Sequence, residues 1–385
     1  MPSKKIHALA IFGTRPEALK VMPVVDAIRA LGVHQVTALA VNQQGDVLSQ
    51  ALAFVGRPDR RCGFVLGPKD ASRLHRTFGS ILWTISGEIE QIRPDYVIVQ
   101  GDTTTALAGA MAAMYCKVPV CHVEAGLRTY DPMCPWPEEH HRTIISQIAT
   151  WHMCPTIDNV TSLIQEGIIP RPLDETYEGR GPIFLTGNPI LDTLRKVECY
   201  KIDGRFIVFT MHRRENFGTR MRNACEALVE ILERFPDVEA VVPIHPNPAC
   251  NVIRSLLAGH DRISLVDPMD YPDFVSHLKS ASLVMSDSGG VVEECCEFGT
   301  PLLILREKTE RMEAVDGGFA FLCDPGDVKC VVEDATLALR EPWYLKGIPE
   351  PGRSGPRNPF AGGQESPSRR IAEILAGPYG PKKLV

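Results

Sequence analysis

Two α/β domains, each built on a doubly wound parallel sheet, are what this sequence predicts. Three observations carry the prediction. Short, continuous apolar runs recur along the chain, as at 6–12 (IHALAIF), 96–100 (YVIVQ) and 207–210 (IVFT). They lack the in–out alternation of a half-exposed strand, which is how strands covered on both faces read. The runs give way to turns, as at Gly13, Asn42 and Gly101, and lead into apolar residues at helical spacing, the β-loop-α rhythm of a parallel sheet. A length of 385 residues suits two domains of ordinary size, each with its own core.

In chain order, the first run breaks at Gly13-Thr14-Arg15-Pro16-Glu17. Pro16 suits the start of a helix whose residues Ala18, Met22, Val25 and Ile28 keep helical spacing. Residues 36–41 read as the second strand. Asn42-Gln43-Gln44-Gly45 turns into an amphipathic helix ending near Gly56, and helical spacing resumes over 71–92. The strand at 96–100 runs into Gly101-Asp102 and a threonine run. A second apolar strand, 118–123, ends on Glu124. A loop with Pro132, Pro135 and Pro137 then closes on Glu138 and Glu139. Acids thus sit at strand ends or just beyond, where open α/β sheets place ligands.

An amphipathic segment from Ile144 and the strand-like WHMCPT lead to Thr156, which reads as a helix cap. Residues 168–182 carry Pro, Gly and charge and read as a linker. IFLTGNP (183–189) is expected to open a second βα series, with strands at 207–210, 240–244, 264–266, 283–285 and 301–305 and a helix at 221–235. A Pro/Gly/Ser-rich crossing segment at 350–368 precedes a last helix at 368–376.

A net charge of −6 removes the basic excess that a general nucleic-acid binder needs. No apolar run reaches the roughly 18 residues of a membrane span. The basic-then-apolar N-terminus reads as a first strand rather than a signal peptide, because its apolar run is short and enters a strand-to-helix turn. The expectation is a cytoplasmic protein. Its twelve cysteines lack CxxC pairs or metal-ligand spacing and read as reduced thiols, several of them in cores. No metal site is expected. The sequon at Asn159 reads as chance.

Several turns carry candidate chemistry. In GTRPE (13–17), helix-start N–H groups and Arg15 favour an anion, although an ordinary βα turn with a surface arginine reads the same way. In SDSGG (286–290), Ser288, Gly289 and Gly290 let the backbone approach a phosphate. Glu294 suits ribose hydroxyls better than a phosphate. No GxGxxG or Walker run is present, so NAD and ATP are not indicated. MHRRENFG (211–218) sets His212 beside two arginines past a strand end, suited to proton transfer or to a phosphate oxygen. TERMEAV (309–315) offers Arg311, with a surface ion pair to Glu310 or Glu313 as the plain alternative. Asp102, Glu124, Glu138 and Glu139 could be solvated or salt-bridged. Crowded together, like charges would raise some of their pKa values, which suits acid–base work.

Taken in order and spacing, GTRPE, VQGDTTT, PVCHVEAGLRT, PWPEEHHR, LTGN, HRREN, HPNP, DSGGVVEE, TERMEAV and NPFAGGQ resemble the non-hydrolysing UDP-N-acetylglucosamine 2-epimerases over almost the whole chain. The resemblance implies a GT-B-like pair of Rossmann-like domains with a cleft between them. It divides the chain into 1–177 with the catalytic carboxylates, 178–362 with the UDP site, and a helix at 363–385 packing back on the first domain. It also implies a homodimer, a UDP-sugar substrate, and no cofactor. The implied reaction is reversible C2 epimerisation of UDP-GlcNAc to UDP-ManNAc. UDP leaves to give 2-acetamidoglucal and then re-adds, and the product supplies ManNAc units for cell-surface polysaccharide. Asp102, Glu124 and Glu138 match the family's catalytic carboxylates, and His212 its acid or phosphate partner. Arg15, Lys20, Ser288, Gly289, Gly290 and Arg311 match its diphosphate and sugar contacts, Glu294 the ribose contact, and Phe274 the uracil region. The pattern departs at Gln44 and Ser80, which fall in the family's second, activating UDP-GlcNAc site, and at Met269, His141 and Met312. The alternatives are an epimerase for a related UDP-2-acetamido sugar and a GT-B glycosyltransferase.

Overall fold

The computed structural model describes residues 5–41, 46–63, 74–168, 183–345 and 358–381. The chain forms two compact units. One is Met1–Arg195 together with Phe360–Val385, the other Lys196–Pro359.

The first unit begins with β1 (His7–Phe12), α1 (Arg15–Leu31), β2 (Gln35–Val41), α2 (Asp46–Val55) and β3 (Arg60–Cys62). It continues with α3 (Leu74–Ile92), β4 (Tyr96–Gln100), α4 (Thr104–Tyr115) and β5 (Val120–Val123). Then come α5 (Glu138–Ile148), β6 (Trp151–Cys154), α6 (Ile157–Gln165), β7 (Ile183–Leu185) and α7 (Ile190–Leu194). Its seven strands are parallel, in the order β3-β2-β1-β4-β5-β6-β7. Leu9 and Ile11 of β1 share a core with Ile81, Ile85 and Ile89 of α3 and the alanines of α4. The intervening Ala8, Ala10 and Phe12 are equally buried, so both faces of the sheet are covered, as the unbroken apolar run requires.

The second unit holds β8 (Phe206–Thr210), α8 (Thr219–Arg234), β9 (Glu239–Pro243), α9 (Asn251–Leu257), β10 (Ile263–Val266), α10 (Tyr271–Ser280) and β11 (Leu283–Ser286). It ends with α11 (Gly289–Phe298), β12 (Leu302–Leu305), α12 (Met312–Asp316), β13 (Ala320–Cys323) and α13 (Val328–Arg340). Its six parallel strands run β10-β9-β8-β11-β12-β13. The last helix, α14 (Pro367–Ala376), belongs to the first unit, where it packs on α1 and α7. The Ser368 N–H donates to Asp192 at 2.8 Å, and the Trp151 indole N–H donates to the Tyr379 carbonyl at 2.6 Å.

The structure corrects several sequence expectations. The strand at 183–185 does not open the second series. It pairs with β6, so the first unit runs on to Arg195. Its three residues, Ile183, Phe184 and Leu185, are apolar but only half-buried or exposed, and their apolar run does not say which sheet they join. Glu138 and Glu139 are not loop residues but the first turn of α5, a favourable place for acids at a helix's positive end. The strand before Glu124 begins at Val120 rather than Val118. Strands β3 and β13 were not anticipated. The expected linker at 168–182, apart from Ile168, the boundary at 177 and Gln44 lie outside the described residues. All twelve cysteines are free thiols. Among the described residues no helix is long and apolar enough to cross a membrane.

Candidate active site

Strand order reverses between β1 and β4 in the first sheet and between β8 and β11 in the second. Parallel sheets open a crevice past the strand ends at such points. The predicted site residues cluster at these two places.

In the first unit, α1 opens with a capping box. The Thr14 side chain accepts from the Glu17 N–H, and the Glu17 carboxylate accepts from the Gly13 and Thr14 N–H groups at 3.0 and 2.8 Å. Arg15, half-buried, is the first residue of the helix. Gly13 is dictated by close approach: a Cβ there would lie 2.2 Å from Thr105 Oγ1. Lys20, expected to help hold the diphosphate, is 4% exposed and ion-paired to Glu124 at 2.7 Å.

Glu124 follows β5 in the left-handed backbone region (φ 64°), which a non-glycine residue enters at a cost of about 1–3 kcal/mol. Its carboxylate is fixed by Lys20, by the Gln100 amide and by Asn188 Nδ2 at 3.1 Å. Asn188 reaches it because β7 belongs to this sheet. Asp102, past β4, accepts from Arg142, whose guanidinium also donates to Glu139 at 3.2 Å. Glu139 in turn accepts from the Thr129 and Tyr130 N–H groups at 3.0 and 2.9 Å. The His141 ring nitrogen Nδ1 lies 2.8 Å from the Asp102 carbonyl. Glu138 is half-buried in the same first turn of α5. The expected crowding of like charges is therefore not the arrangement found, because Asp102 and Glu124 each face a cation.

In the second unit the hub is Asp287, which has no exposed surface. It accepts from the His212 and Arg213 N–H groups (3.0 and 2.9 Å) and from Asn216 Nδ2 (3.0 Å), tying the turn after β8 to the turn after β11. The His212 ring stacks on His245 (centroids 4.8 Å apart, 13° between planes), and its Nδ1 lies 3.4 Å from Asp287 Oδ1. Desolvation holds this imidazole below its usual range, against the pull of Asp287, so it is neutral near pH 7.

Ser288 caps α11 without a side-chain hydrogen bond, and Gly289 and Gly290 form the helix's first turn. A Cβ on Gly289 would lie 2.6 Å from Arg311 Nη1, so the glycine makes room for that guanidinium. Arg311 is not in a surface pair. It is 5% exposed, donates to Glu293 at 2.9 Å and pairs with Glu310, which also binds Arg306 at 2.8 Å. Glu294 accepts from the Tyr271 hydroxyl at 2.9 Å. Phe274, one turn along α10 from Tyr271, is half-buried. Ser80 is half-buried on α3, Met269 is half-buried ahead of α10, and Met312 is exposed.

In the first unit, then, the structure gathers Arg15, Lys20, Asp102, Glu124 and Glu138 at the ends of β1, β4 and β5. In the second it gathers His212, Ser288, Gly289, Gly290, Glu294, Arg311 and Phe274 around α11 and its neighbours. Sequence reasoning missed Glu17, Arg142, Asn188, Asn216, His245 and Asp287, all of which lie inside motifs it had singled out.

A family model described as UDP-N-acetylglucosamine 2-epimerase matches residues 40–376. The chain is 37% identical over 395 residues to a UDP-N-acetylglucosamine 2-epimerase of Campylobacter jejuni, covering 97% of each chain. It is 33% identical over 390 residues to that of Escherichia coli K12, covering 96% of this chain and 98% of the other. The solved UDP-GlcNAc 2-epimerase from Neisseria meningitidis, bound to UDP-GlcNAc, matches with a TM-score of 0.86 at 31% identity, over 96% of this chain and 99% of that one. A spinosyn rhamnosyltransferase, at 14% identity and a TM-score of 0.51, shares the fold alone. The chain therefore belongs to the UDP-N-acetylglucosamine 2-epimerase family, a family of isomerases, and has its GT-B-like pair of parallel-sheet α/β domains.

Proposed function

We propose that this enzyme interconverts UDP-GlcNAc and UDP-ManNAc by eliminating UDP and re-adding it. The observation that carries the reading is the acid set of the first unit. Asp102 and Glu124 stand on neighbouring strand ends, each held by a cation, and Glu138 stands at the start of the helix that supplies Arg142.

The C2 proton is not next to a carbonyl, so a carboxylate alone removes it poorly. If the C1–O bond begins to break first, its electron pair passes to the diphosphate and C1 gains oxocarbenium character, which acidifies C2–H. The C2–H pair then becomes the C1=C2 bond of 2-acetamidoglucal, and the proton passes to a carboxylate. Return of UDP to C1 with a proton delivered to the other face of C2 completes the inversion. Elimination is anti and re-addition syn.

Asp102, Glu124 and Glu138 are the groups proposed to move protons. Arg15, Lys20, Arg311 and the amides of Ser288, Gly289 and Gly290 are proposed to stabilise the departing diphosphate and the sugar. His212, neutral in the free enzyme, would donate a hydrogen bond to the diphosphate. A bound anion would raise its pKa and let it act as an acid. Glu294 and Phe274 are assigned to ribose and uracil. The reading extends to a homodimer and to supply of ManNAc for cell-surface polysaccharide, both on the family resemblance, and to work in the cytoplasm, on the N-terminal run read as a first strand.

Incubation with UDP-GlcNAc in D2O, followed by NMR, tests the reaction. UDP-ManNAc carrying deuterium at C2 is expected, and its absence rejects epimerisation. Free ManNAc with UDP would indicate a hydrolase instead. In the same assay Asp102→Asn should lose about 10²-fold or more in kcat while UDP binding is retained. Near-normal turnover removes Asp102 from the mechanism.

A further inference from the structure

Two turns meet at the switch point of the first sheet: 13–17 after β1, with Arg15, and 101–104 after β4, with Asp102. Glu17 joins them and has no part in the steps above. It is fully buried. One carboxylate oxygen accepts the Gly13 and Thr14 N–H groups, and the other accepts the Thr103 hydroxyl at 2.7 Å. A capping box needs only the first set. The bond from Thr103 crosses to the other turn, at the residue directly after Asp102. The first turn also touches the start of α4, directly after the second turn, where Gly13 leaves space for Thr105. Three residues further along the same face of α1, Lys20 holds Glu124 at the end of β5. The opening turns of α1 therefore index the end of β4 through Glu17 and the end of β5 through Lys20.

From this geometry we infer that Glu17 is a positioning residue, a clamp that fixes the Asp102 turn against the Arg15 turn. The inference rests on the reading of Asp102 as catalytic. Proton transfer depends on where Asp102 stands relative to the sugar, whereas most of the proposed UDP contacts, from Ser288 to Gly290, Glu294, Arg311 and Phe274, belong to the second unit, and only Arg15 sits in the clamped turn. Loosening it should therefore lower kcat and spare affinity.

The test uses full-length Glu17→Ala, Glu17→Gln, Thr103→Ala and the Glu17→Ala/Thr103→Ala double variant. Glu17→Ala is expected to lower kcat about tenfold with the Kd for UDP changed less than about twofold, the signature of misplacement rather than lost binding. Glu17→Gln should restore kcat, since its amide offers an oxygen to the two N–H groups and an N–H to the Thr103 hydroxyl. The double variant should lose clearly less than the sum of the two single ones, because both cut the same link, although each also removes a helix cap of its own. Amide hydrogen exchange over 101–107, which requires no substrate, should quicken in Glu17→Ala and return to normal in Glu17→Gln. Wild-type kcat per folded molecule in Glu17→Ala, additive losses in the double variant, or unchanged exchange over 101–107 overturns the clamp. Should the wild-type enzyme fail to place deuterium at C2, the epimerase reading falls, and the hydrogen-exchange result alone decides for or against the clamp.

Discussion

Glu17 accepts hydrogen bonds from two backbone amides and one hydroxyl in a site without water access, and desolvation raises its carboxyl from the ordinary 4.5 to about 7. Between those values the folded chain keeps a proton that the unfolded chain releases. This contribution to stability is complete below 4.5 and is lost as pH rises through 7. Glu17→Gln removes the titration. Its stability should match wild type near pH 5 and exceed it by roughly 2–4 kcal/mol at pH 8.5, read from urea unfolding at both pH values. An equal wild-type-to-variant difference at the two pH values refutes the shift. The acids named from the sequence, Asp102, Glu124 and Glu138, came through their match to family motifs. The residues that orient them did not, because orientation depends on partners far away in the chain. Asn188 lies 64 residues from Glu124, and Asp287 lies 75 residues from the His212 amide it accepts. Spacing within a motif reports one element's own faces and is blind to such pairs.

Helix α1 shows how an element absorbs an irregular residue. Pro23, inside the helix, has no N–H to give the Leu19 carbonyl four residues back. The Thr193 hydroxyl of α7 donates to that carbonyl instead, at 2.5 Å. Thr193→Val keeps the shape and removes the donor, so it should cost about 1–3 kcal/mol, measurable as a lower midpoint in thermal unfolding. No change in midpoint would mean the carbonyl finds another donor. Most elements were legible because strands buried on both faces give unbroken apolar runs and amphipathic helices carry helical periodicity, as in β1, β4 and α3. The misses have physical causes. Strand β3 is three residues, two of them exposed arginines, and gives no apolar run. The start of α5 was hidden because its cap position is Pro137, which lacks a capping side-chain bond and closes a proline-rich run that reads as loop.

At the scale of the molecule, the two parallel sheets were legible from the βα rhythm, while the division between units was not, since it turns on which sheet the three-residue strand β7 joins, and an apolar run such as Ile183-Phe184-Leu185 does not name its partner strand. The first unit is discontinuous. The chain leaves it after Arg195 and returns at Phe360, and Phe360, Ile371 and Leu375 are then buried in it almost completely. At about 1.5–3 kcal/mol for each such side chain, removing 360–385 should cost the first unit roughly 5 kcal/mol or more. The second unit, with its own core, should still melt cooperatively as residues 196–359 alone. Calorimetry of the truncated chain is expected to lose or strongly lower one transition and keep the other, and an unaltered profile would refute the dependence. The same connectivity sets a timetable for synthesis. A ribosome must emit the whole second unit, roughly ten to thirty seconds at about 5–20 residues per second, before the segment that packs on α1 exists. Through that interval the nascent first half carries an uncovered apolar helix face. The order of emergence, rather than final stability, is what would make this chain a client for chaperones at the tunnel exit.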